Sequence, residues 1–138
     1  MLDGQGNELA RFEALCPPSL TFTKVVAASF DNEPVKPANW NRLLQTALVT
    51  GHKKISSFEK LRKLAAVHMV EGEKNDEGYR YFPQVGFSVQ RTDANTAWRG
   101  IVFVAQSLNC SVDVSFVWSK KGAAEHPGKS GTMRFYRK

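Results

Sequence analysis

The chain has 138 residues, of which 42% are hydrophobic and 23% are charged. This composition is typical of one globular domain with its own core, and it excludes a disordered chain. No apolar run reaches the roughly 20 residues that cross a bilayer, and the polar start "MLDGQGNELA" differs from a signal peptide, so we expect a cytoplasmic protein without membrane contact. The net charge of +6 suits polyanionic partners, because each phosphate contact releases counterions.

Residues 1–18 are predicted to form a loosely ordered N-terminal arm, and residues 19–138 a single domain. Helical spacing of Leu9, Phe12 and Leu15 predicts one short helix in the arm, which the two prolines of "CPPS" end. Alternation in "SLTFTKVVAASFD" then predicts a long strand. Its inward positions are Leu20, Phe22, Val26, Ala28 and Phe30.

Two amphipathic helices are predicted after this strand. The first carries apolar side chains at the spacing of one helix face, and Gly51 ends it. Those positions are Trp40, Leu43, Leu44, Ala47 and Leu48. Ser56 and Glu59 have the spacing of a capping box, which predicts a second, shorter helix up to Ala65.

The second half of the chain is predicted to contain a hairpin, a strand, a third helix and two further strands. Residues 67–69 and 79–81 form the arms of the hairpin, and the turn between them is rich in Asn and Asp. The third helix begins near Thr92 or Asp93, and "CSVDVSFVW" and "GTMRFYRK" alternate as strands. This order predicts an α+β fold: a single domain with a mainly antiparallel sheet of about five strands, packed by about three helices.

The predicted third helix has an apolar surface wider than a single stripe. Phe103 and Val104 lie outside the face that Trp98 and Ile101 define. The helix must therefore be covered on more than one side, either by its own domain or by a partner subunit.

The segment "GAAEHPGKSGT" contains a match to the relaxed phosphate-binding loop pattern, which is a small residue, four residues of any type and then Gly-Lys-Ser. Such a loop must join a strand to a helix whose amides hold the phosphates. Here the residues after Ser130 alternate like a strand, and Pro127 removes one amide. We therefore predict a flexible basic hairpin loop.

No other motif names a reaction. The three histidines and two cysteines lack the spacing of a metal site, and the cysteines are expected to be free thiols. Cys110 with His68 or His126 as a base has no local sequence signature. The acidic turn "EGEKNDEG" does not match a calcium loop. No cofactor, metal or catalytic residue is predicted, and the sequence favours a binding protein over an enzyme.

Two basic clusters carry the strongest functional signal. The first cluster, in "HKKISSFEKLRK", consists of Lys53, Lys54, Lys60, Arg62 and Lys63. The second cluster, in the C-terminal hairpin, consists of Lys120, Lys121, Lys129, Arg134, Arg137 and Lys138. Tyr136 lies between Arg134 and Lys138 on the strand face opposite Phe135, which would add base stacking to phosphate contacts. The alternative is a solvated edge strand whose charges prevent aggregation.

These clusters predict a small cytoplasmic module that binds nucleic acid, without distinguishing DNA from RNA. The candidate nucleic-acid-binding residues are Lys53, Lys54, Lys60, Arg62, Lys63, Lys120, Lys121, Lys129, Arg134 and Tyr136. The order of the first elements also resembles a winged helix-turn-helix with residues 57–65 as the recognition helix, although its wing would be acidic. The alternative function is a protein-interaction or regulatory domain that acts through a homodimer or a partner interface.

Overall fold

The computed structural model describes residues 9–136, which form three helices and eight strands. The strands are β1 (Leu9–Glu13), β2 (Thr23–Phe30), β3 (Glu33–Pro34), β4 (Met69–Glu71), β5 (Tyr79–Phe82), β6 (Phe87–Gln90), β7 (Val112–Trp118) and β8 (Ser130–Phe135). The helices are α1 (Trp40–Ile55), α2 (Phe58–Ala65) and α3 (Ala94–Leu108). The predicted α+β fold with three helices is confirmed, and the strands form two sheets instead of one.

The larger sheet has five strands in the order β1-β8-β7-β2-β3. All its pairs are antiparallel except β1 with β8, which is parallel, so the sheet is mixed. Trp118 pairs with Thr23 at one end of β7, next to the loop that connects β7 to β8. We call this the loop end of the sheet, and the end where Val112 pairs with Phe30 the opposite end.

The predicted short helix at residues 9–15 is wrong, because β1 occupies this segment. The helical spacing of the apolar residues is coincidental, since only Phe12 serves the core. Its ring lies 5.4 Å from Trp118 and 6.3 Å from Phe116, centroid to centroid. Leu15, by contrast, is exposed. As a strand paired with β8, the segment packs Phe12 against the core and forms backbone hydrogen bonds with its neighbour. A helix of one turn would leave most of its backbone N–H and C=O groups without partners.

The predicted inward face of β2 is only partly correct. Leu20 and Phe30 are buried, but Phe22 and Val26 are 41% and 64% exposed. A β-bulge between Val25 and Ala27 shifts the alternation by one residue, so Val25 is buried in place of Val26. Phe22 has a φ of 65°, which turns the chain just before the strand begins.

Helices α1 and α3 lie side by side and run in the same direction. The Asn41 side chain donates to the Thr92 carbonyl at the start of α3, and Gly51 lies against Leu108 at its end. The helices contact both sheets, because Trp40 packs on Phe116 of the larger sheet while α1 and α2 also reach the smaller one. α1 begins at the loop end, since the Trp40 Nε1–H donates to Thr23 Oγ1 over 3.0 Å.

The smaller sheet has the order β4-β6-β5, so the predicted hairpin between residues 67–69 and 79–81 is wrong. β6 inserts between the two arms and pairs with both. Phe87 of β6 explains this arrangement, because it is buried between His52 and Phe58 at centroid distances of 5.4 and 5.7 Å. The most buried of the three strands thus takes the central position against the helices.

The broad apolar surface of α3 is covered by the chain itself. Ala97, Trp98, Gly100, Ile101, Val102, Val104 and Ala105 are all buried. The Trp98 indole donates to the Ala14 carbonyl over 2.9 Å. Among the large apolar side chains of α3, only Phe103 is exposed, at 39%. The surface that suggested a homodimer therefore lies inside the domain.

Candidate nucleic-acid interface and arginine cleft

The fold separates the two basic clusters along the length of the larger sheet. Lys53 and Lys54 lie in the last turn of α1 at the opposite end, where Lys54 Nζ lies 4.0 Å from Asp31 Oδ2. Lys120, Lys121 and Lys129 lie in the loop between β7 and β8, at the loop end. The eight residues of β2 span roughly 25 Å between these ends, at about 3.3 Å a residue. The two clusters therefore do not form one contact surface.

Part of the first cluster is already neutralised. Arg62 of α2 donates to Glu59 over 2.9 Å, and this contact raises the pKa of Arg62 and lowers that of Glu59. Lys53, Lys60 and Lys63 are exposed and form no ion pair with another residue of the range 9–136. The first cluster therefore offers three lysines without an ion pair, one on α1 and two on α2.

The second cluster is itself divided by the sheet. β8 carries Arg134 and then Tyr136 to the opposite end, away from the loop lysines. Arg134 Nε lies 3.2 Å from Asp113 Oδ2, close enough for an ion pair although its N–H is not aligned for a hydrogen bond. Tyr136 is 62% exposed, and Arg137 and Lys138 lie outside the described residues. The strand thus offers one paired cation beside the tyrosine.

The loop between β7 and β8 differs from a phosphate-binding loop. A strand follows Ser130 where such a loop needs a helix, and Ser130 itself is buried. The amides of Ala124, Gly128 and Lys129 all donate to carbonyls of the same loop region. His126 also packs on Trp118 at 4.8 Å. These contacts hold the loop against the sheet, and the amides of Ala124, Gly128 and Lys129 are not free to hold a phosphate.

Phe22 brings an aromatic surface to the loop lysines, which sequence alternation missed by assigning it to the core. Lys121 Nζ lies 4.8 Å from its ring centroid. The Phe22 carbonyl accepts from the Ser119 amide over 2.8 Å, so the turn that exposes the ring is tied to the basic loop. We call Phe22, Lys120, Lys121 and Lys129 the loop platform. Its one acid, Glu125, accepts a hydrogen bond from the Ser19 amide.

A second basic site lies at the start of α1, and none of its cations was predicted. Arg42, Arg80 and Arg91 line one cleft of about 270 Å³. The other lining residues are Pro37, Asn39, Asn41, Gln45, Asn75, Gly78 and Tyr79. We call it the arginine cleft. Each arginine stands alone in the sequence, so a search for runs of charge does not find it. Only the fold brings the three together, because it places α1, β5 and the residue after β6 around one cleft.

The arginine cleft offers donors and few free acceptors. The side-chain oxygens of Asn39, Asn41 and Asn75 each accept a backbone N–H, at 2.7, 2.9 and 3.0 Å. The three guanidinium groups form no ion pair with any carboxylate in the range 9–136. Guanidinium groups that lack a carboxylate partner are suited to bind a planar or tetrahedral anion.

The described part of the chain does not bring together the residues that a metal site or a cysteine–histidine pair would need. No three His, Cys, Asp or Glu side chains of residues 9–136 lie close enough together to hold a metal ion. Cys110 is buried at the opposite end, whereas His126 lies in the loop between β7 and β8. β2 pairs with β3 and β7 and not with the smaller sheet, which differs from a winged helix-turn-helix.

Among residues 9–136 the longest helix has 16 residues, and no helix combines the length and apolarity that a membrane crossing requires. Comparisons with protein-family models, with curated proteins and with solved structures gave no match to the chain.

Proposed function

We propose that the protein binds single-stranded nucleic acid through the loop platform. The observation that carries the proposal is the exposed ring of Phe22 with Lys121 Nζ 4.8 Å from its centroid, beside two further lysines of the same loop. An aromatic ring among cations can stack a base while the cations contact the flanking phosphates. A duplex offers its bases only at groove edges, so an exposed ring favours a single strand.

The internal contacts of the loop that carries the platform support the proposal. The backbone amides of Ala124, Gly128 and Lys129 donate hydrogen bonds to carbonyls within the loop region, and the His126 ring packs on Trp118. A surface that is ordered before binding loses less conformational entropy when a ligand arrives. The lysines are therefore presented from a fixed backbone, although their side chains remain exposed.

The first cluster has a smaller part in this proposal. It lies roughly 25 Å away along the sheet, a length taken from eight strand residues at about 3.3 Å each. Arg134 and Tyr136 lie at that same distant end, and Arg134 is paired with Asp113. The alternative, a homodimer formed through α3, was suggested by the broad apolar surface of this helix. That surface is buried within the chain and is not available to a partner.

The proposal predicts that charge reversal at the loop platform removes binding. Lys120→Glu with Lys121→Glu should weaken the affinity for a single-stranded oligonucleotide by ~100-fold at low salt, because each reversal exchanges a phosphate contact for repulsion. Phe22→Ala should weaken it by roughly 10-fold, since base stacking contributes about 1–3 kcal/mol. Fluorescence anisotropy over a salt series measures both effects.

Matched charge reversal at the opposite end is the control. Lys60→Glu with Lys63→Glu changes the net charge by the same amount, on an exposed helix face. This variant should lose less than about 5-fold through the general field alone. Equal losses in the two double variants, or no binding by the unmodified chain at low salt, would show that the loop platform is not the site.

A further inference from the structure

We propose that the arginine cleft is a binding site for a phosphate monoester. The cleft is separate from the loop platform, and the proposal holds whether or not the loop binds a polymer. Its cations come from three parts of the fold: Arg42 from α1, Arg80 from β5 and Arg91 from the residue after β6. Three arginine side chains that line one small volume supply positive charge and N–H donors for a phosphate dianion. The Arg80 guanidinium carbon also lies 5.5 Å from the centroid of the Phe82 ring, and its N–H groups have no acid partner among residues 9–136.

The cleft is built to keep its arginines available. The acidic turn beside it, which includes Asp76 and Glu77, would otherwise pair with them. Instead Lys74 Nζ binds Asp76 Oδ1 at 2.8 Å and Glu77 Oε1 at 3.2 Å. These contacts raise the pKa of Lys74 and lower that of Asp76. Asp76 and Glu77 are therefore already paired with a cation, whereas the arginines of the cleft form no ion pair with a carboxylate in the range 9–136.

Gln45 adds a polar amide to the wall of the cleft. Its side chain lines the cleft from the second turn of α1 and is only 7% exposed. It forms no hydrogen bond with another residue of the range 9–136, and its amide atoms reach solvent, so they are available to a ligand. A phosphate oxygen in the cleft would accept from its Nε2–H.

The size and the free donors of the cleft indicate the class of ligand. About 270 Å³ lies just below the roughly 300–1,000 Å³ of sites for drug-sized ligands, so a small molecule or the end of a larger one fits. The free groups are guanidiniums, the Gln45 amide and the Tyr79 hydroxyl, whereas the asparagine oxygens are occupied. A monoester carries more charge than the diester of a polymer backbone and therefore matches three cations better.

The test is calorimetric titration of the full chain with adenosine 5′-monophosphate, adenosine and inorganic phosphate at low salt. We expect binding of the two phosphates and none of adenosine. Arg80→Gln with Arg91→Gln should weaken the phosphates at least about 10-fold, the loss expected for one charge-assisted hydrogen bond or more. Gln45→Glu keeps the shape of the side chain but opposes a dianion, and it should weaken them at least as much.

Arg99→Gln is the matched control, because it removes an exposed arginine of α3 that does not line the cleft. It should leave the affinity within about 2-fold, a difference of roughly 0.4 kcal/mol. Equal binding of adenosine and its monophosphate, or equal affinity of the cleft variants and Arg99→Gln, would overturn the proposal. Circular dichroism of each variant establishes that it is folded before it is titrated.

A second titration separates two sources of the phosphate. A short oligonucleotide with a 5′-phosphate is compared with the same oligonucleotide ending in a 5′-hydroxyl, both on the Lys120→Glu, Lys121→Glu background that disables the loop platform. A preference for the phosphorylated end that Arg80→Gln removes assigns the cleft to strand ends. Binding of the free nucleotide alone assigns it to a small molecule. Binding of neither contradicts a phosphate monoester site.

Discussion

At the scale of single residues, the packing around Gly131 shows how closely β1 and β8 fit against each other. A Cβ at this position would lie 2.8 Å from Phe12 Cε2 and 2.9 Å from Phe116 Cζ. Gly131 is the place where β8 passes beneath these two rings. The sequence marks Gly131 only as one of ten glycines. Its constraint comes from Phe12, which is 119 positions away and was predicted to be in a helix.

Gly131→Ala should lower the free energy of unfolding by about 1–3 kcal/mol, because the added methyl group must displace an aromatic ring in a packed core. Gly122→Ala is the control, since no atom lies within 4 Å of a Cβ at that position. It should be neutral or slightly stabilising. Urea denaturation of the two variants decides the point, and equal stabilities would contradict the packing described.

At the scale of elements, the helices follow local rules that the sequence displays. Asp93, predicted as a cap of α3, accepts the Thr96 backbone N–H over 3.0 Å, and Asn109 ends the helix with a φ of 56°. The strands followed local rules less well. β1 and β4 pair with partners that alternation alone does not identify, because a strand is stable only when a neighbour supplies its hydrogen bonds.

The cap of α3 should make stability depend on pH. Hydrogen bonds from Thr96 lower the pKa of Asp93 below its ordinary value of 3.8. The stabilisation is therefore present above about pH 4 and is lost as the pH falls through the lowered pKa of the folded state. Asp93→Asn keeps a capping group without the charge, so it should cost about 0.3–1 kcal/mol at pH 7 and progressively less as the pH is lowered toward 2.

Asp93→Ala, which removes the cap itself, is the matched comparison for this effect. It should cost about 1 kcal/mol at neutral pH and remain destabilising in acid, where the protonated carboxyl of the parent still accepts. Thermal or urea unfolding at neutral and acid pH separates the contribution of the charge from that of the capping hydrogen bond. A constant difference between the parent and Asp93→Asn across this range would show that the charge of Asp93 is not involved.

At the scale of the whole molecule, both sheets belong to one core. The buried hydrophobic residues form a single cluster that extends from Met133 of the larger sheet to Phe87 of the smaller one. Phe87 is the main anchor of the smaller sheet, since its ring packs on α1 and α2 through His52 and Phe58. A continuous core predicts that the two sheets unfold together.

Phe87→Ala should therefore destabilise the entire chain by about 3–5 kcal/mol, the usual cost of emptying a buried aromatic site. The parent and the Phe87→Ala chain both carry Tyr136→Phe, which removes the tyrosine beside the larger sheet, so tyrosine absorbance reports on Tyr79 and Tyr81 of β5. Tryptophan fluorescence reports on Trp40, Trp98 and Trp118 around the larger sheet. The two signals should change at the same denaturant concentration in the variant. A tyrosine transition that precedes the tryptophan transition would contradict a single cooperative unit.

The sequence by itself determined the class of fold, the three helices, both caps of α3 and the alternation of β7, because these depend on neighbours within a few positions. Two predicted helix ends were wrong: α1 continues past Gly51 to Ile55, and the N-cap of α2 is Ser57 instead of Ser56. It did not determine strand order, the bulge that turns Val26 outward, or the burial of the α3 surface.

The candidate sites divide in the same way. Runs of charge identified the loop lysines, but only the tertiary structure separated them from Lys53 and Arg134 and exposed Phe22 beside them. The arginine cleft was decided by packing alone, because its three cations are 38 and 11 positions apart along the chain. Charges that distant in sequence interact only when the folded backbone brings them to one cavity.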